Sequence, residues 1–190
     1  MNTTIYFVRH GQTDANKARI FSGQIDTPLN EIGRQQVKET CNLIQTLGIK
    51  WNIIISSTLS RAYETAQIIN QYFPIQKEII KDISAIERSF GNAEGIPITE
   101  ENYRRIMNCE FENEESQPEI IERAQTFIKR LLNSYSGQNI LVVTHSHFLK
   151  GCFKPYLPDL RFDTKTVNAG LSRLIFDEHQ NCIKADLIMK

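Results

Sequence analysis

The sequence predicts an α/β protein of three layers, α/β/α, around a mostly parallel central sheet with an antiparallel edge. Short β-branched and aromatic runs, TIYFV, NIII and NILVV, alternate with longer segments of helical periodicity. That order calls for right-handed crossovers and a parallel sheet covered on both faces. The stretch AGLSRLIFDEHQNCIKADLIM breaks the alternation, with two apolar runs around the polar turn DEHQN, and reads as an antiparallel pair.

Taken in order, TIYFVRHG is a buried strand that ends abruptly in charge, so His10 stands at its C-terminal edge. The polar segment GQTDANKARIFSGQIDTPLN reads as a loop, after which Asn30 caps a helix with Val37, Cys41 and Ile44 on its apolar face and Gly48 as its stop. WNIIISS is a second buried strand, and LSRAYETAQIINQYF a helix with Ala62, Ala66 and Ile69 inward. KEIIKDISAIE is read as a third strand, ending at Glu87. Residues 88–117 are polar, with glycines, prolines and one helical stretch around Thr99 to Met107, and read as a lid-like excursion from the main fold. Ser116 and Glu119 form a capping box for a long amphipathic helix facing inward through Ile120, Ala124, Phe127, Ile128, Leu131 and Tyr135. The strand NILVVTH follows.

The 190 residues, 41% of them hydrophobic, suffice for the core of a single domain, and neither a repeat nor a linker divides them. Lys+Arg and Asp+Glu are equal at 22 each, which leaves no basic field for nucleic acid or an anionic membrane. Any anion site must therefore be local. The opening MNTTIYFVRHG lacks the h-region of a secretory leader, and no run approaches the roughly 18 apolar residues of a membrane span. Cys41, Cys109, Cys152 and Cys182 lie far apart with no CxxC; reduced, mostly buried thiols of a cytoplasmic protein are expected, as a monomer or homodimer.

In doubly wound sheets ligands bind beyond the carboxyl ends of the strands. Three apolar runs end there in Arg9-His10-Gly11, in Ser56-Ser57 with Arg61 close behind, and in His145. Two arginines and two histidines converging on one point suit a tetrahedral dianion, because guanidinium binds phosphate oxygens bidentately and stays charged near neutrality. A neutral imidazole can attack phosphorus in line and split one hard displacement into two easier ones. With arginines on the equatorial oxygens no metal or cofactor is called for. Glu87 is the candidate acid for the leaving alkoxide. A metal pair at His145 and His147 lacks a third ligand motif, His179 falls in a polar turn, and Arg104, Arg105 and the Glu110 to Glu115 run read as solvated faces.

With these residues the chain resembles the histidine phosphatase superfamily, also called phosphoglycerate mutase-like, almost from end to end. The RHG signature is Arg9-His10-Gly11, followed by Thr13 and Asn16, and TPLNEIGRQQV is similar to the family's helix entry. SSTLSRAYETA carries Arg61, IERSFGNAEG carries Glu87 and Glu94, VVTHSHFLK carries His145, and NAGLS begins at Asn168. The resemblance implies a phosphate pocket of Arg9, His10, Arg61 and His145, with Asn16 holding the phosphate, Ser22 and Gly23 in the loop that touches it, Glu87 as acid and the Ser146 N–H as a further donor. It implies a metal-independent phosphatase for small-molecule phosphate esters that works through a phosphohistidine; the alternatives are a cofactor-dependent phosphoglycerate mutase and a non-catalytic phosphate-binding regulatory module, against which the pair His10 and Glu87 argues. One departure is the Ser146-His147 pair where the family follows its second histidine with glycine, which narrows or alters the pocket. The sequence ends almost directly after its last strand run, without a closing tail, so water is expected to reach a phosphohistidine.

Overall fold

The computed structural model describes residues 1–75 and 78–187. β1 (Thr3–Arg9) lies inside a six-stranded sheet. On one side of it are β4 (Asn139–Thr144), β2 (Ile53–Ser56) and β3 (Ile80–Lys81), all parallel to it, and on the other β5 (Leu171–Phe176), antiparallel to β1, and β6 (Cys182–Asp186), antiparallel to β5. The order β3-β2-β4-β1-β5-β6 is thus a parallel sheet with an antiparallel edge.

Alternation along each strand makes the two cores. Ile5 and Phe7 of β1, Ile140 and Val142 of β4, and Ile53 and Ile55 of β2 face α5 (Gln117–Ser134) and α6 (Ser146–Phe153). Tyr6, Val8, Leu141, Val143 and Ile54 face α2 (Glu31–Thr46) and α3 (Ser60–Tyr72). The caps read from the sequence are formed: Asn30 accepts from Gly33 N–H, and Ser116 with Glu119 completes a capping box.

The structure corrects four expectations. The third strand is only Ile80–Lys81, at an exposed edge, and the chain then turns through a 3-10 segment, Ile83–Ala85; Glu87 follows that turn rather than ending a strand. Lys77, and Ile188 and Met189 of the last run, lie outside the described residues. The loop after β1 contains a short helix, α1 (Asp14–Lys17), capped by Thr13 and Asn16. His145 opens α6, where no helix was read, because its small turn and apolar residues carry too little periodicity over so short a span. Of the cysteines, Cys41 and Cys152 are buried, but Cys109 is exposed and Cys182 half-buried.

Residues 88–117 carry α4 (Glu100–Met107) and a small core of their own, in which Phe90, Ala93 and Ile106 pack with Phe21 from the loop after β1. Main-chain bonds from Phe21 to Ile96, Gly95 to Phe21 and Ile98 to Arg19 tie the two segments together. Among the described residues no helix is long and apolar enough to cross a membrane.

Candidate active site

Because β1, β2 and β4 are parallel, their C-terminal ends share one edge of the sheet. Pairing continues past each strand, with His10 N–H donating to Thr144 O and Ser57 N–H to Val143 O. His10 and Ser57 are therefore fixed by sheet backbone before any side chain acts, and His145 follows directly on the last residue of β4. Gly11 is required by close approach: a Cβ there would lie 2.5 Å from Gly33 O at the start of α2.

His10 is buried, and its Nδ1 lies 2.7 Å from Gly11 O. A carbonyl only accepts, so Nδ1 carries the ring proton and the lone pair is on Nε2. Burial, then Arg61 and Arg9, hold the imidazole well below its usual titration range, and it is neutral near pH 7. His145 stands beside it at 5.1 Å between ring centroids, with Nε2 2.8 Å from Ser57 Oγ. Burial followed by Arg61, His10 and Arg9 keeps it neutral too.

The two guanidiniums are held by carbonyls. Arg61 donates from Nη1 to Ile25 O at 2.8 Å and from Nη2 to Gly23 O at 2.7 Å, and Arg9 from Nη1 to Thr166 O at 2.6 Å. Burial lowers Arg9 to about 10 and lowers Arg61 as well, so both remain charged at neutrality. Gly23 sits in the left-handed region at φ +48, with the Glu94 carboxylate filling the space a Cβ would take. Glu94 Oε1 accepts from Gln24 N–H and Phe90 N–H, which braces the loop that supports Arg61. Asn168 donates to both His10 O and Asn16 Oδ1, and Thr13 N–H also donates to Asn16 Oδ1. The Asn16 amide nitrogen is thereby left as the donor end.

Glu87 is buried at the N-terminus of α6, which His145 does not cap with its own side chain. Its Oε1 accepts from Arg88 N–H (2.9 Å), His147 N–H (3.0 Å) and Phe148 N–H (3.1 Å), whereas Oε2 has only His147 N–H at 3.3 Å. Oε2 is the less engaged of the two oxygens. Ser146 turns its hydroxyl to Thr166 Oγ1 at 2.7 Å, so the departure from glycine is accommodated against the neighbouring loop.

These groups border a cavity of about 690 Å³ in which Arg9, His10, Asn16, Ser22, Arg61 and Glu87 appear together. His145 abuts His10 from behind. Five of the eight buried side-chain atoms without a hydrogen-bond partner among the described residues belong here: Arg9 Nε, Ser22 Oγ, Arg61 Nε, His145 Nδ1 and His147 Nδ1. Stability alone does not gather unpaired donors in one place, since each costs about 1–3 kcal/mol when buried. Arg104 and Arg105 lie apart, paired with Glu110, and Arg105 stacks on Phe111. His179 is exposed in its turn, as read.

Sequence reasoning missed three supports. Arg123 of α5 donates to Ser84 O, Ile86 O and Glu87 O and pairs with Glu115, fixing the Glu87 segment; a charge among the apolar positions of α5 was the available signal. Thr166, which meets both Arg9 and Ser146, lies in a segment without periodicity. Lys150 is buried, donates to Phe162 O at 2.6 Å and is lowered by burial to about 8.

Comparison with known proteins agrees with this architecture. The model of the histidine phosphatase superfamily (branch 1) matches residues 5–185. A Bacillus subtilis (strain 168) protein named as the uncharacterized phosphatase PhoE is 34% identical over 185 residues, 96% of this chain and 93% of that one. The crystal structure of phosphoglycerate mutase from Bacillus anthracis str. Sterne has a TM-score of 0.84 at 19% identity, covering 98% of this chain and 93% of that one. Phosphoserine phosphatase from Entamoeba histolytica, solved in complex with 3-phosphoglyceric acid, has a TM-score of 0.81 at 25% identity, covering 97% and 96%. The chain belongs to the histidine phosphatase superfamily. It is accordingly an enzyme of the phosphatase class, a hydrolase.

Proposed function

We propose that the chain is a metal-independent phosphomonoester phosphatase that acts on small phosphorylated metabolites through a phosphohistidine at His10 Nε2. The observation that carries this reading is the state of His10: Gly11 O holds the proton on Nδ1, and burial beside two arginines keeps the ring neutral, so an unprotonated nitrogen is available as nucleophile. Nε2 attacks phosphorus, the ester P–O bond breaks, and Glu87 Oε2 gives its proton to the leaving alkoxide. Water then attacks the P–N bond, Glu87 takes up its proton, and phosphate departs from regenerated His10. Arg9 and Arg61 stabilise the equatorial oxygens with charge that needs no ion to supplement it, and His145 Nδ1, the Asn16 amide and Ser22, Gly23 and Ser146 complete the cradle.

The PhoE relative and the phosphoserine phosphatase neighbour support a hydrolytic reading over phosphoryl return to a sugar acid. The test is hydrolysis of para-nitrophenyl phosphate by the protein and by His10→Ala, with and without EDTA. Turnover indifferent to EDTA and absent from His10→Ala is expected. Isomerisation of phosphoglycerate faster than phosphate release would replace the phosphatase reading with a mutase.

A further inference from the structure

Beyond the groups that handle phosphate, the cavity has a wall the mechanism does not use. On α6, His147 presents its ring to the cavity while its main-chain N–H holds Glu87. His147 as a whole is only 6% exposed, and its buried Nδ1 has no partner among the described residues. The ring is clasped by Phe90 from the 88–117 segment, edge-on at 5.1 Å between centroids, and by Phe162 from the segment after α6, tilted at 58° and 5.4 Å away. Lys150, one turn further along α6, donates to Phe162 O and so secures that clasp. A histidine packed only as an aromatic would be expected to give its nitrogens to the main chain or to lose them to phenylalanine.

The rest of this wall combines the aromatic rings of Phe21 and Tyr103, parallel within 10°, with hydroxyls and charges of both signs, among them Thr99, Glu100, Asp163 and Lys165. Flat apolar faces beside interspersed donors and acceptors suit a hydroxylated ring or polyol, whose C–H faces lie on aromatics while its hydroxyls both give and accept. At about 690 Å³ the cavity has room for a phosphate and such a group together.

We propose that His147 determines which leaving group is accepted: its neutral imidazole hydrogen-bonds a hydroxyl of a phosphorylated sugar or polyol while His10 takes the phosphoryl group. This rests on the phosphatase reading above and names the substrate class of the same site. Neutral imidazole suits the role because it is donor and acceptor at once, and burial beside Lys150, Arg88 and Arg9 holds His147 uncharged.

The experiment compares kcat/KM for phenyl phosphate with that for ribose 5-phosphate, glucose 6-phosphate and glycerol 3-phosphate, in the native protein, His147→Phe and His147→Asn. Phenylalanine keeps a ring between Phe90 and Phe162 but has no nitrogen; asparagine keeps polar atoms near Nδ1. In His147→Phe the ratio of the best sugar or polyol ester to phenyl phosphate should fall about five- to tenfold, the size of one neutral hydrogen bond. The fall should lie in KM, and His147→Asn should recover part of it. An unchanged ratio in His147→Phe overturns the proposal, as does native turnover of phenyl phosphate with none of the three other esters; both leave the phosphatase reading standing. No native turnover of any ester overturns that reading itself.

Discussion

Around His10 the functional side chains are tied to main chain, Arg9, His10 and His145 at the ends of central strands and Arg61 through the carbonyls of the 23–25 loop, whereas across the cavity Phe21, Phe90 and Tyr103 rest mainly on one another and on loop segments. The first region inherits its precision from the sheet: His10 and Ser57 continue the ladder, Gly11 touches Gly33, and carbonyls of the 23–25 loop grip Arg61. The second is joined to the first by isolated bridges such as Ile20 with Pro97, and has a core of only a few side chains. Geometry needed to within about half an ångström is anchored to the sheet and the helices packed on it, and most of the opposite wall of the cavity is built on loops. Chemistry and selectivity are thereby separable in this fold.

That separation can be broken most directly at His10. His10→Ala should lower turnover of every ester by more than about a thousandfold, because no second nitrogen is placed to attack; a loss confined to some esters would assign His10 to selection instead. Glu87→Gln keeps an acceptor for the three N–H groups on Oε1 but cannot donate a proton as an acid. It should slow poor leaving groups by about a hundredfold and para-nitrophenyl phosphate much less. Equal slowing would remove Glu87 from proton transfer.

A stability measurement sharpens the comparison further. His10, His145 and His147 are all held below the ordinary value of 6.5. Below that pH the unfolded chain binds protons that the folded protein does not, so their contribution is present above about pH 6.5 and lost as pH falls. Each steepens the loss by up to about 1.4 kcal/mol per pH unit. Denaturant midpoints from pH 7 to pH 5 should therefore drop steeply, and less steeply in His147→Phe; the same slope in both would mean that His147 is already protonated when folded. The smallest effect belongs to the exposed rim: Arg104→Ala breaks only a surface pair with Glu110 and should change stability by less than about 0.5 kcal/mol and activity by less than about twofold.

The strands, the long helices and the group Arg9, His10, Arg61 and His145 were legible from the chain itself. Buried strands and amphipathic helices imprint periods of 2 and 3.6 on a sequence, and residues at strand ends inherit a position from those periods. α6 escaped because its residues are buried nearly all round and leave no stripe to read. The Glu87 segment was misread because a hydrophobic run does not disclose that only two of its residues pair.

What the sequence by itself determined is the layered α/β architecture and the identity of the groups that meet at the C-terminal edge of the sheet, since local patterning and parallel crossovers leave few ways to arrange them. Tertiary structure alone decided the proton on His10 Nδ1, the capping of α6 by Glu87 from 60 residues away, and the aromatic clasp on His147. Each depends on contacts between segments distant in the chain, and such contacts leave no local period behind.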